Sequence, residues 1–187
     1  MRKLFQKRTE ISLRRDHPAA LAASLIMAAA GFLRLWYFLS GEIDWFVLIV
    51  RLFLPCAAVV LFIAGNITGG ERFKPFSIGA VALGVAFFII KAQTDFSLLH
   101  RSLCTILYVT VLAVYTLTVL GYLPTKKLLI PLFGLPLLYH IVVEDTQYYF
   151  FANPPVPVWE WIPEISVLCI MGALFCQSFA MKQEKIG

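Results

Sequence analysis

His140 and Glu144 stand four residues apart in an apolar run, so on a helix they share a face with their side chains within reach of each other. Glu164 opens the next apolar run, which returns from the same side. An imidazole with two carboxylates can hold a divalent cation or relay a proton. Arg34 and Arg51, near the ends of two earlier apolar runs, add guanidiniums whose forked N–H groups match carboxylate or phosphate oxygens. Helical rise places these groups in one band, roughly 6–9 Å below the ends of four helices.

Ionisable groups at that depth in lipid are costly unless paired, solvated or extended to the interface. Three readings follow. The charges could tie helices together as ion pairs. They could line a water-accessible pocket for a small polar or anionic solute, with Tyr108 as a further polar lining group. Or His140 with Glu144 and Glu164 could form a metal or catalytic site. Neither H-E-x-x-H nor G-x-S-x-G occurs, and His17 and His100 lie in other places. No catalytic centre, resident metal or cofactor is therefore assigned, and the balance is against an enzyme.

The elements that must position these residues are set by the hydrophobic pattern. Of the 187 residues 60% are hydrophobic and 14% charged, against about a quarter charged in an ordinary soluble domain. Apolar runs at 19–39, 45–65, 76–93, 102–122, 127–144 and 162–181 are each about the length that crosses a bilayer core of about 30 Å. The expected fold class is all-α: a polytopic bundle of six transmembrane helices with both termini cytoplasmic. A basic N-terminal segment (1–18) precedes the membrane domain (19–181), and a short tail (182–187) follows. Pro131, Gly134 and Pro136 should kink the fifth helix, and Pro55 should bend the second beside Arg51.

Charge orients the bundle. Arg2, Lys3, Lys7, Arg8, Arg14, Arg15, Arg72, Lys74, Lys126, Lys127, Lys182 and Lys185 fall on one side of the alternating runs, while Lys91 and Arg101 fall on the other. The positive-inside rule makes the first side cytoplasmic. The expected location is a cell membrane, in which the chain is a multi-pass protein of a bacterial plasma membrane. The net charge of +5 then answers to anionic lipid headgroups rather than to nucleic acid, which is not an expected partner. A cleavable signal peptide is disfavoured because the first apolar run continues through Leu39.

Within helix one, Ala19, Ala23, Ala30 and Arg34 lie within about 60° of one another, a small-residue face suited to close helix contact. Arg101, Thr105, Tyr108 and Tyr115 form a polar stripe on helix four that should face the interior. The connection 145–161 combines six aromatic residues with Pro154, Pro155 and Pro157, as an interfacial belt or as a lid over an outward cavity. Cys56, Cys104, Cys169 and Cys176 read as small packing residues, and Asn66-Ile67-Thr68 as a chance sequon in a cytoplasmic turn.

This layout resembles the substrate-binding subunits of energy-coupling factor vitamin transporters: six helices in fewer than two hundred residues, both termini inside, and an alanine-rich first helix. The resemblance implies an outward solute pocket. It also implies a membrane partner subunit docked on helix one through Ala19, Ala23 and Ala30. A scaffold or assembly protein with a dry interior is the alternative, and a membrane enzyme using His140 with Glu144 and Glu164 the third.

Overall fold

The computed structural model describes residues 7–39, 52–95, 98–139, 141 and 158–186, with some of these described by backbone alone. Among them are six α-helices: α1 (Pro18–Leu39), α2 (Leu54–Thr68), α3 (Phe73–Asp95), α4 (Leu98–Val119), α5 (Leu129–Tyr139) and α6 (Val158–Ala180). Two strands, β1 (Thr9–Leu13) and β2 (Met181–Lys185), complete the described regular structure, with a 3₁₀ turn at Lys126–Leu128. Each helix overlaps one of the six apolar runs. Three stretches are long and apolar enough to cross a membrane: Pro18–Leu39, Phe73–Ile90 and Arg101–Val119. The 22 residues of α1 extend about 33 Å at about 1.5 Å per residue.

Consecutive helices α1 to α4 pack as neighbours, α5 packs on α6, and α6 returns against α1 in the most extensive contact of the bundle. The small-residue face of α1 lies in these seams. Ala23 and Ala30 are fully buried, Ala19 half-buried, and Ala20 and Met27 complete the inward stripe. Gly31 sits close against Val59 of α2, and Ile26 against Gly172 of α6. Within the chain this face is thus covered by its own helices. The exposed side of α1 carries Leu21, Leu25, Phe32 and Trp36, and α4 exposes Leu103, Ile106 and Leu107. Pro136 lies inside α5.

The two ends of the chain form structure that an all-α reading omits. Strands β1 and β2 pair antiparallel from Thr9 with Lys185 to Leu13 with Met181, so both terminal segments lie side by side. Alternation explains the seating of β1: Thr9, Ile11 and Leu13 are buried, while Glu10 and Ser12 face outward. Ile11 and Leu13 join Phe73, Leu129 and Met181 in the buried apolar cluster.

The interhelix turns fasten to this ribbon. Leu13 and Gly70 exchange both backbone hydrogen bonds at 2.9 Å, which ties in the α2–α3 turn. After α4, the carbonyl of Gly121 accepts from Arg8 N at 2.9 Å and Thr9 N at 3.1 Å. Gly121 has φ +86°, and a Cβ there would lie 1.9 Å from Thr9 O, so only glycine permits the approach. Gln183 on β2 accepts from Lys126 N at 2.8 Å and donates to Pro124 O at 2.7 Å. Lys126 Nζ donates to the carbonyls of Met181 and Ser178, closing the C-terminal end of α6.

Among the described residues Lys7, Arg8, Arg14, Arg15, Lys126, Lys127, Lys182 and Lys185 belong to the terminal segments and interhelix turns of this ribbon end, and Lys74 to the first turn of α3. Lys7 pairs with Glu10 at 3.3 Å, Lys74 with Glu71 at 3.2 Å, and Lys182 with Glu184 at 2.5 Å.

Candidate functional site

Two of the six residues singled out for ligand binding meet across one aromatic pair. Arg34 projects from the buried stripe of α1, is 5% exposed, and sets its guanidinium carbon 4.9 Å from the ring centre of Phe87 on α3. Phe87 meets Phe88 edge-on at 5.3 Å, and Phe88 stacks on Tyr108 of α4 at 5.3 Å with an interplanar angle of 18°. Arg34 and Tyr108 therefore flank the same two phenylalanines. A cation–π contact engages the flat face of a guanidinium, while the N–H edge is the part that meets a carboxylate or an anionic solute.

Arg34 lies sixteen residues beyond Pro18, about 24 Å along the helix at about 1.5 Å per residue, so the pair belongs to the end of the bundle far from the ribbon. Arg51, His140 and Glu144 lie outside the described residues. Glu164 is described only as a backbone position in α6. Among the described residues no three His, Cys, Asp or Glu side chains converge as a metal site.

The bundle interior contains a polar cluster that the sequence reading missed. Gln177 of α6 is fully buried and central to it. Its Nε2 donates to Asn66 Oδ1 of α2 at 2.7 Å, and its Oε1 lies 3.0 Å from both Ser77 Oγ of α3 and Tyr115 OH of α4. Asn66 Nδ2 in turn donates to Ser24 Oγ at 2.9 Å and, at 3.4 Å, to Ala20 O of α1. Five helices meet in this one chain of bonds.

The amide orientations follow from donor accounting. A backbone carbonyl only accepts, so Asn66 must present its NH₂ to Ala20 and its oxygen to Gln177. That turns the oxygen of Gln177 toward the hydroxyls. Ser77 and Tyr115 lie 2.5 Å apart and have two protons for three close contacts, so only two of the three contacts carry a proton at once. Asn66, the acceptor residue of the chance sequon, is 3% exposed and committed within this cluster.

Tyr115, the last member of the polar stripe on α4, is fully buried, whereas Arg101, Thr105 and Tyr108 are half-buried. Ser77 and Gln177 gave no usable signal, since Ser77 stands alone and Gln177 stands only beside Ser178 in apolar runs. A glutamine in an apolar run is nevertheless a group that must find a partner, and that cost is the clue the sequence offers. Cys56, Cys169 and Cys176 are free and half-buried.

A second polar feature lies at the ribbon end. A cleft of about 550 Å³ is bounded by the turn 13–18 and by Thr68, Gly69 and Gly70. Arg14 and Arg15 are exposed there, and His17 is half-buried with Nδ1 accepting from Ala19 N at 3.2 Å. In the neutral ring that bond leaves the proton on Nε2.

These observations define a helical bundle with three stretches long and apolar enough to cross a bilayer, closed at one end by a ribbon of its two terminal segments. Comparison with protein-family models, curated proteins and solved structures gave no match.

Proposed function

We propose that the chain is a multi-pass membrane protein whose bundle carries, at the end remote from the ribbon, a polar pocket for a small anionic or polar solute. In this reading six helices span, the ribbon end is cytoplasmic, and the protein acts as a solute-binding subunit in a bacterial plasma membrane. The observation that carries it is Arg34, buried on α1 and joined to Tyr108 through Phe87 and Phe88. A buried guanidinium in an apolar bundle is expensive, and binding is a function that warrants the expense. Arg51, His140, Glu144 and Glu164 are the further groups proposed for this pocket. Because α6 and α2 cover the small face of α1, a membrane partner subunit would meet the exposed side carrying Leu21, Leu25, Phe32 and Trp36.

Untargeted mass spectrometry of small molecules retained by the detergent-purified chain tests the reading. A reproducibly retained anionic or polar solute is the expected result, and a ligand-free preparation from native membranes would count against it.

One observation favours the scaffold reading as the second choice. The Ser24, Asn66, Ser77, Tyr115 and Gln177 cluster bonds five helices internally, as a dry structural bundle requires. The two readings separate at Arg34, since loss of this side chain should impair binding in one and stability alone in the other.

A further inference from the structure

We infer that the cleft between the turn 13–18 and the α2–α3 turn is a binding site for one anionic phospholipid, with the headgroup phosphate held by Arg14, Arg15 and His17. The inference rests on the membrane reading above and concerns the opposite end of the bundle.

Three features converge on this occupant. The first is charge: Arg14 and Arg15 are exposed at the cleft, and among the described residues the ion pairs are those of Lys7, Arg15, Lys74 and Lys182, none of them with Arg14. Arg15 Nε lies 3.5 Å from Asp16 Oδ1, a contact at the limit of hydrogen bonding, with the Asp16 side chain 92% exposed at the rim. The second is the tautomer of His17, whose Nδ1 is occupied by Ala19 N–H, so that Nε2 is the donor. A phosphate diester offers acceptor oxygens to such donors.

The third is continuity with apolar surface. Pro18 and Thr68, on the two walls of the cleft, are the first residue of α1 and the last of α2. One turn along α1 stands Leu21, 63% exposed, and beside Thr68 on α2 stands Ile67, 66% exposed. Leu25 and Val60 extend the same apolar surfaces deeper. Asn66 and Ser24 hold the two helices side by side below the cleft. A charged recess at the point where two helices leave hydrocarbon fits a headgroup above acyl chains. A soluble anion would use the charges and leave the apolar surface beyond Pro18 and Thr68 uncovered.

Native mass spectrometry of the detergent-solubilised full chain, titrated with phosphatidylglycerol, phosphatidylcholine or inorganic phosphate, tests this. Phosphatidylglycerol should bind in preference to phosphatidylcholine, and Arg14→Gln with Arg15→Gln should weaken it about thirtyfold, since each basic group at an anionic interface contributes about fivefold. Arg8→Gln with Lys185→Gln, on the ribbon and outside the lining of the cleft, should leave the preference for phosphatidylglycerol essentially as in the parent. Equal binding of the two lipids, or binding unchanged in the Arg14 and Arg15 double variant, would overturn the site. Inorganic phosphate that displaces the lipid at equal concentration would overturn the lipid assignment in favour of a soluble anion. Because both arginines are exposed, the double variant should keep the parent melting temperature; a double variant that melts early is replaced by Leu21→Ser with Ile67→Ser, which should weaken lipid but not phosphate. Release of the chain from membranes by alkaline carbonate would defeat the membrane reading itself, whereas a chain that needs detergent yet shows no lipid preference would defeat this site alone.

Discussion

Gln177 on α6 donates to Asn66 on α2 at 2.7 Å, joining two helices that are distant in sequence and fixing the orientation of both amides. In the membrane setting proposed for the bundle there is little hydrophobic drive between helices, so specificity would come from close packing and from bonds of this kind. Replacing Gln177 by Leu strands Asn66 Oδ1 and removes the acceptor of Ser77 and Tyr115. We expect a loss of about 1–3 kcal/mol for each group left unsatisfied. Tyr115→Phe leaves the Ser77 to Gln177 bond in place and should cost only about 0.5–2 kcal/mol. Thermal or denaturant unfolding in detergent reads the order, and a Tyr115→Phe cost equal to that of Gln177→Leu would show that the cluster is not organised around the glutamine.

Gly121 should tolerate no side chain. A Cβ 1.9 Å from Thr9 O, at φ +86°, forces either the turn or β1 to move. Gly121→Ala is expected to cost at least about 2 kcal/mol, through strain and lost docking of the ribbon. Hydrogen exchange at residues 8–13 should rise in this variant while the helices keep their protection.

Lys126 supplies a pH signature. Burial pushes its ammonium below the usual value of 10.5, and the nearby Arg14 adds to the shift. Between the lowered value and 10.5 the unfolded chain binds more protons than the folded one, so stability should rise with pH across that window. Lys126→Met removes this increment, and unfolding midpoints of the two proteins measured from neutral to alkaline pH should show a steeper rise in the parent.

The membrane orientation can be read by labelling. Thr125 belongs to the ribbon end, where it caps the 3₁₀ turn, and Asn153 to the long aromatic connection outside the described residues. With the ribbon end inside the cell, Thr125→Cys should resist an impermeant thiol reagent in intact cells and Asn153→Cys should react. The reverse pattern would invert the topology.

Much of the helical layout was legible in the sequence because runs of apolar residues about as long as a bilayer is thick have few alternatives. The buried stripe of α1, from Ala23 through Ala30 to Arg34, could be read from helical periodicity alone. The ribbon could not. Its signal on β1 is only five residues of alternation, Thr9 to Leu13, set among basic residues, and its partner Met181–Lys185 has no such pattern and lies at the other end of the chain. The Gln177 cluster was hidden for another reason: Ser24, Asn66, Ser77 and Gln177 lie on four different helices, and only packing brings them to one point. Of the residues proposed for the pocket, Arg34 and Tyr108 flank Phe87 and Phe88, and the remaining groups lie at positions whose side chains are not described.

Arg34 is where solute binding and structural tying make opposite predictions. Arg34→Met keeps length and an apolar contact with Phe87 while removing the charge. The decisive measurement compares the small molecules retained by the parent and by Arg34→Met, each purified from the same membranes, by untargeted mass spectrometry alongside a melting curve. The solute-pocket reading predicts that an anionic or polar compound present in the parent is depleted at least about tenfold in the variant, the change expected from losing one charge-assisted hydrogen bond of about 1.5–3 kcal/mol, with the melting temperature preserved. An identical retained set together with a lowered melting temperature would contradict it and make Arg34 a structural tie.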